Sequence, residues 1–414
     1  MMNHPSAQGP AVLALPNLLA LPNLLALLVA CAVLAACTSP VSPPTGPVTT
    51  SPPPTTATTR EATTTTAPAF HLDGASPAWE RAVADVYGSV CGGTLRSIAA
   101  ELAERKEATE CPIGGRAAMS SVGGIEVAAA EIGPDAIFGV DVGGGFQIVA
   151  ARLNSMSPSG TALFWYGVVP KVVVAVGSDA RPGEDPEVSR ADSIHLVALD
   201  GFGHGGVLGI PRDSWVRISG GGMSKINASL STGGPDVMLQ TLADVTGLNL
   251  DGYVVTGFTG FQEMVGNVLG GVDIELPLAV ADSSSGADLD AGSQYLNGPD
   301  ALALARARKS LPGGDLTRQF NGGLLLMAAL SSAQSYGPLH LPTLISESAE
   351  WMSTDLAPGD LLSFAALALD TPIASIGNHV APGRVGTAGS ASVVYLTDSA
   401  PSLFADLADG SLAP

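Results

Sequence analysis

"KVVVAVGSDAR", residues 171–181, is a β-branched run that stops at Gly177 and gives way to Asp179 and Arg181. Two more short apolar runs end the same way: "DSIHLVALD" (192–200) and "GVLGIPRD" (206–213). Strands that are apolar along their whole length belong to a sheet covered on both faces. Stretches with helical spacing at 234–247, 259–271 and 320–334 supply the cover. "GVDIEL" (271–276) reads as a further strand, and "ASVVYLTDSAPSLFADLADG" (391–410) as strand then helix. This alternation predicts an α/β fold, with the strand ends as the default place for a site.

Polar residues crowd at those ends. Asp179 and Arg181 follow the first run, Arg190 and Asp192 border the second, and Arg212 and Asp213 end the third. Lys225 and Asn227 stand in "SKINAS" (224–229). Any one of them alone reads as a solvated turn residue. Their grouping matters because cations are scarce: 18 Lys+Arg against 38 Asp+Glu in 414 residues, a net charge of -20. So acidic a chain is not built for DNA or RNA, since neutralising phosphates along a strand needs a basic face. Charge more than about 8 Å away is largely screened, so a local arginine cluster still dominates its own pocket.

Such a cluster occurs in "ALARARKSLPGGDLTRQ" (303–319). No lysine or arginine lies between Ile226 and Ala305; then Arg306, Arg308, Lys309 and Arg318 arrive together, with Asp315 among them. Asn297-Gly298-Pro299 opens a short helix, after which the chain is expected to run extended. Alternate residues of a strand share a face, so Arg306 and Arg308 are expected to point the same way. On a helix they would diverge by about 200°. Pro312-Gly313-Gly314 makes a tight loop, and Asp315 is placed to cap the next helix, whose N-terminus faces anions. An exposed basic turn neutralising nearby acids is the alternative.

Two carboxylates among several guanidiniums suit the handling of a diphosphate. Carboxylates hold a hard cation, Mg²⁺ or Mn²⁺, and arginines clamp phosphate oxygens in pairs. Catalysis is then mostly positioning and charge stabilisation. Walker A, HExxH and GxSxG patterns are absent, so nucleotide hydrolysis, zinc peptidase and α/β-hydrolase chemistry have no support. His195, inside an apolar strand, and His204, in a Gly-rich turn, receive no role.

The first 59 residues carry no Asp, Glu, Lys or Arg, and "LLALLVACAVLAAC" (24–37) ends in Leu34-Ala35-Ala36-Cys37. A small-residue site directly before a cysteine resembles a lipoprotein signal peptide over residues 1–37, with Cys37 as the lipidated residue. An uncleaved anchor or an ordinary signal peptide is the alternative. Residues 38–69 are nearly all Ser, Thr, Pro and Ala, a disordered tether, with a reach on the order of 90 Å. Residues 70–165 read as an accessory domain or insertion, and 166–414 as the catalytic domain. In the accessory part, Ser76-Pro77 signals a helix start. Trp79, Val83, Val86 and Tyr87, then Leu95, Ile98 and Leu102, have helical spacing, and 144–153 reads as a strand. In an exported body, Cys91 and Cys111 are expected to pair, a bridge across about 20 residues contributing about 3 kcal/mol. Two free buried thiols are the alternative.

The set "VVVAVGSDAR … RADSIHLVALD … GIPRDSWV … SKINASL … YLNGPDALALARARKS … GGDLTRQ" resembles the LytR–CpsA–Psr family of cell-wall glycopolymer ligases. The resemblance runs from about Lys171 to Leu330. It implies a three-layer α/β/α core with a mixed sheet, Asp179 and Asp192 binding Mg²⁺, and Arg190, Arg212, Arg306, Arg308 and Arg318 contacting the diphosphate. Asp213, Lys225, Asn227 and Asp315 would order that shell, with Arg181 close to the substrate. Family members usually carry a second arginine and glutamines after the residue matching Arg318; here "QFNGG" (319–323) follows.

The implied substrates are a polyprenyl-diphosphate-linked glycopolymer and peptidoglycan, joined through a phosphodiester with release of polyprenyl phosphate. The enzyme would be lipid-anchored at the outer face of the cytoplasmic membrane. A diphosphate hydrolase and a non-catalytic wall-tethering lipoprotein are the other readings. A polyprenyl chain needs an apolar cavity leading from the phosphates. "GGLLLMAAL" (322–330), with Leu325, is expected to wall it, Gly322 and Gly323 leaving room, and Phe261 to stand opposite.

Overall fold

The structure, a computed structural model, describes residues 70–92, 110–112, 114–155 and 163–414. The signal segment, Cys37, the tether and the positions Leu95, Ile98 and Leu102 lie outside the described residues. Among the described residues no helix is long and apolar enough to cross a membrane.

A six-stranded sheet forms first, in chain order: β1 (His71–Asp73), β2 (Gly114–Val122), β3 (Ile125–Ile132), β4 (Asp135–Asp141), β5 (Phe146–Leu153) and β6 (Leu163–Trp165). Helix α1 (Pro77–Tyr87) starts where Ser76 Oγ accepts the Trp79 amide at 3.2 Å, with proline in the first turn. Trp79, Val83 and Tyr87 pack on one face of the sheet, against Ile137 and Ile148. Gly139 makes room for the indole: a Cβ there would lie 2.4 Å from the Trp79 ring. Cys91 and Cys111 are bonded to one another.

The second sheet is mixed. Its core strands are β7 (Lys171–Ser178), β8 (Ala191–Leu199) and β9 (Gly205–Gly209), antiparallel in sequence. Parallel to β7 lies β10 (Gly252–Thr256), with the short β11 (Ser353–Thr354) outside it; β12 (Ile376–Val380) lies parallel to β9. Helix α2 (Ala228–Thr246), kinked at Gly233-Gly234 before Pro235, covers one face through Leu230, Met238 and Leu242. The long helix α5 (Asp315–Tyr336) covers the other, touching β8, β9 and β12. The middle layer is therefore buried on both sides, which is why its strands are apolar throughout. "GVDIEL" and "ASVVYL" pair in hairpins of their own, with Gly292–Leu296 and Gly383–Ala388.

Between β10 and α5 the chain forms α3 (Phe258–Glu263), continued by a π-turn to Val268, and α4 (Gly298–Arg306), capped by the Asn297 side chain. Helices α6 (Leu341–Ser348) and α7 (Pro358–Leu369) then bind the two sheets together. Val127, Phe138 and Ala150 of the first sheet share one buried cluster with Leu344, Ile345, Leu362 and Leu367. Asp370 fastens the same junction, accepting from the Tyr166 hydroxyl at 2.7 Å and pairing with Arg152 of β5. Burial, with the Asp370 charge adding, drives the Tyr166 pKa upward, so the phenol stays a donor.

The shared core joins the described strands of residues 70–165 to the same folding unit as the rest. A chain begun at Gly167 would expose Leu344, Ile345 and Leu362 to water, roughly 1.5–3 kcal/mol for each buried side chain. It should aggregate, whereas a chain begun at Phe70 should melt in a single calorimetric transition; two separated transitions would contradict this.

Candidate active site: an arginine–carboxylate cluster beside an apolar cavity

The ends of β7, β8 and β9 and the start of α5 converge. At the close of β7, Asp179 Oδ1 accepts the Arg190 amide at 2.8 Å and the guanidinium Nε stands 3.6 Å from Oδ2. In the β7–β8 ladder Gly177 faces Ser193, but Ser178 faces Ala191, so Asp192 is one residue too many. Such a bulge bends the strand and re-aims the extra side chain. Asp192 is turned to Arg212, whose Nη1 lies 2.5 Å from Oδ1.

Arg212 also approaches α5. Its Nε is 3.4 Å from Asp315 Oδ1, which lies 2.7 Å from Nη2 of Arg318. Neither approach to Asp315 is aligned as a hydrogen bond, and both Asp315 oxygens are buried with no hydrogen-bond partner. Only 5% of the Arg318 side chain is exposed. Burial pulls the Arg212 pKa down, but Asp192 and Asp315 outweigh it and the net movement is upward. For Arg318 burial prevails and its pKa falls; for Asp315 burial prevails over both arginines and its pKa rises. The cluster is strained electrostatically, with buried charges only partly matched.

Around it, Lys225 Nζ pairs with Asp213 Oδ1 at 2.8 Å. Asn227 is buried, and its backbone bonds both to Arg212 and to Ala191, lacing β8 to the Arg212 turn. Arg306 and Arg308 depart from the expected strand: Arg306 is the last residue of α4, and only from Ala307 is the backbone extended. Arg306 lies 4.8 Å from the Phe258 ring centroid and lines the cavity with Asp192 and Arg318. Arg308 is exposed and outside that lining. Arg181 lines a neighbouring depression with Glu184 and Trp351 instead. Asp315 is the first helical residue rather than the cap, a place held by Gly314 at φ 56°.

From the arginines an apolar cavity of about 250 Å³ runs between the sheet and α3–α5. Leu325, Leu326 and Ala329 of α5 line it opposite Phe261, Met264 and Val265. Gly322 faces the cavity, whereas Gly323 packs on Asn378, 1.9 Å from where its Cβ would be, and belongs to the core. Asn321, buried, lines a separate groove with Leu311, Thr317 and Phe320.

Among the described residues no group of three or more His, Cys, Asp or Glu is gathered to hold a metal unaided. Magnesium commonly takes one or two carboxylates and completes its shell with waters and phosphate oxygens. Asp179 and Asp192, on neighbouring strand ends, are the two carboxylates that would serve such an ion, and each also meets an arginine, Asp179 at Arg190 and Asp192 at Arg212. A carboxylate pair of this chemistry fits it.

A model of the LytR_cpsA_psr family matches residues 168–405, more than half of the chain. The chain belongs to this family. It is 37% identical over 179 residues to the "Probable cell wall biosynthesis protein LcpB" of Corynebacterium glutamicum, covering 40% of this chain and 43% of that one. It is 34% identical over 155 residues to the "Polyisoprenyl-teichoic acid--peptidoglycan teichoic acid transferase TagV" of Bacillus subtilis, covering 35% and 39%. The chain thus spans less than half the length of these two relatives. The crystal structure of B. subtilis TagV superposes with a TM-score of 0.50 at 24% identity, over 59% of this chain and 98% of that one. This likeness shows the LytR_cpsA_psr fold.

Several residues of this LytR_cpsA_psr site escape a reading of the sequence. Asp282, buried at the end of the short strand Val280–Asp282, accepts the amides of Arg308 and Lys309 at 2.8 and 2.7 Å. It pins the loop that follows Arg306, and the hydroxyl of Ser284 foremost keeps its carboxyl below the usual range. Its separation of 26 residues from Arg308 left no local signal. Gln319, also buried, gives its side-chain amide to the Ile210 carbonyl at 2.9 Å and fastens α5 to β9. Ser193 and His195 line the cavity too; their i, i+2 spacing on a strand was the available signal.

Replacing a partly matched buried ion pair by apolar residues is commonly neutral or stabilising, by about 1–4 kcal/mol. The double variant Asp315→Leu, Arg318→Met should therefore keep or raise its urea midpoint while losing affinity for inorganic pyrophosphate. A large loss of stability would show that the pair holds the fold rather than a ligand.

Proposed function

We propose that this chain transfers a glycopolymer from a polyprenyl diphosphate to a hydroxyl of peptidoglycan, forming a phosphodiester and releasing polyprenyl phosphate. The observation that carries the proposal is the join between the buried Arg212–Asp315–Arg318 cluster and an apolar cavity. A substrate with a doubly anionic head and a long hydrocarbon tail matches both halves. The name of the B. subtilis relative, a transferase between polyisoprenyl-teichoic acid and peptidoglycan, points to the same class.

In this reading Arg212, Arg306 and Arg318 hold phosphate oxygens, and Arg190 and Arg308 close over them from the exposed side. The acceptor oxygen forms its bond to the glycan-bearing phosphorus as the bond to the bridging oxygen breaks, and polyprenyl phosphate leaves with that oxygen. Charge developing on the leaving phosphate is met by guanidiniums already in place, which costs no reorganisation. Asp179 and Asp192 would hold Mg²⁺, which supplies further charge neutralisation at the diphosphate. Phe261 and Leu325 would contact the first prenyl units. A lipid on Cys37 and the tether after it would keep the body at the outer membrane face, within reach of the wall.

The test is incubation of residues 70–414 with a polyprenyl-diphosphate oligosaccharide and peptidoglycan fragments, with products identified by mass spectrometry. Glycan-phosphate attached to the fragments is the expected result, and EDTA should stop it, with Mg²⁺ restoring it. Release of glycan phosphate to water alone would make the chain a hydrolase, and binding without turnover a tethering protein. The cavity has its own test. Leu326→Trp should weaken binding of a long-chain polyprenyl diphosphate about tenfold, or 1.4 kcal/mol, and leave pyrophosphate binding unchanged. Equal affinity for the long chain would remove the lipid from the cavity.

A further inference from the structure

His195 is the one titratable side chain of β8 that the proposed transfer leaves unused. It is 2% exposed and lies between two glycines. A Cβ on Gly322 would come within 2.6 Å of its Cε1, and one on Gly209 within 3.4 Å of its Nε2. The ring thus fills space that side chains on α5 and β9 would otherwise occupy. Its Nε2 lies 2.9 Å from the Gln319 carbonyl oxygen, and its Nδ1 3.1 Å from Ser193 Oγ.

These contacts settle the tautomer. A carbonyl only accepts, so Nε2 carries the hydrogen and donates it to Gln319. In the neutral ring Nδ1 is then a bare acceptor, and the Ser193 hydroxyl must donate to it. Ser193 is left with its lone pairs for the cavity, whose lining it shares with Asp192, Arg306 and Arg318. A hydroxyl backed by an imidazole whose far nitrogen is oriented by a third group is an arrangement that moves protons.

We infer that Ser193 and His195 form the proton acceptor for the hydroxyl that attacks the diphosphate, an inference that rests on the transfer reading above. The attacking oxygen bonds to phosphorus as the bond to the bridging oxygen breaks. Its proton passes to Ser193 Oγ while the proton of Ser193 passes to His195 Nδ1. Polyprenyl phosphate leaves as an anion, and the imidazolium returns its proton through Ser193 to water once the products have gone. Ser193 touches the acceptor and is the catalytic residue; His195 acts through it and is a positioning residue. Burial above all, with the Arg318 charge adding, lowers the imidazole pKa to about 4, so Nδ1 is free near neutral pH.

The experiment measures single-turnover transfer from a lipid-diphosphate oligosaccharide to a series of alcohols, from ethanol to the more acidic trifluoroethanol. Ser193→Ala and His195→Met are compared with the wild type. Both variants should slow transfer to ethanol by about 100-fold or more, the usual worth of general base catalysis. The deficit should shrink as the alcohol becomes more acidic, while substrate affinity stays within about threefold. An equal deficit with every alcohol would mark the dyad as structural and overturn the inference, as would a wild-type rate in Ser193→Ala. Failure of the wild type to transfer both to peptidoglycan fragments and to every alcohol would overturn the proposed function itself, and this inference with it.

Discussion

The Arg212 guanidinium is the interaction on which the site depends. It leaves the turn after β9, meets Asp192 on the bulge of β8 and approaches Asp315 at the start of α5. One side chain thereby links the middle of the sheet to the helix that covers it. Its own backbone is held by Asn227, whose carbonyl also receives the Ala191 amide beside the bulge. The strand, the turn and the helix are placed relative to one another before any ligand arrives. That is preorganisation in the physical sense: the dipoles and charges are in position, and the cost of placing them has been met by folding.

The cost is visible in the charges themselves. Asp315 and Arg318 are close but poorly aligned, and burial moves each of their pKa values toward the neutral form. A folded protein tolerates such a pair where neighbouring interactions over-determine it. Here α5 is fastened next to the pair by Gln319, on the Ile210 carbonyl, and farther along by Asn378, on the Phe320 carbonyl. The adjoining apolar wall adds packing without competing for the charges. Unmet hydrogen-bonding capacity in a closed site is what an incoming anion or cation relieves, so instability in the free protein becomes affinity in the bound one.

Legibility from sequence follows the range of the signal. The α/β class, the strands 171–178, 191–199 and 205–209, and the polar residues at their ends were readable because continuous apolar runs ending in charge are local patterns. Arg306 and Arg308 were misplaced because "ALARARKS" supports both a helix that ends and a strand that begins; Asn297 capping carried the helix through Arg306. Asp282 was invisible because it acts on a loop distant in sequence, through amides that any residue possesses. The role of residues 70–165 was hidden for a related reason: their second apolar face looks like ordinary core until Leu344, Ile345 and Leu362 are seen against it.

The "QFNGG" segment (319–323) divides, residue by residue, into separate physical consequences. Gln319 turns inward to β9, Asn321 faces the groove beside Leu311, and Gly323 yields to Asn378. Only Gly322 opens on the cavity, and the space beside it is taken by the imidazole of His195 from the facing strand β8. Polarity absent from the helix is thus present on the strand, aimed at the same space. A glycine there reduces reach from α5 but permits a ring from β8, so the lack of a side chain at Gly322 does not by itself argue for a lack of chemistry. Whether a polar group serves a site is decided by the point its atoms reach, and two backbones that face one another can supply it equally well.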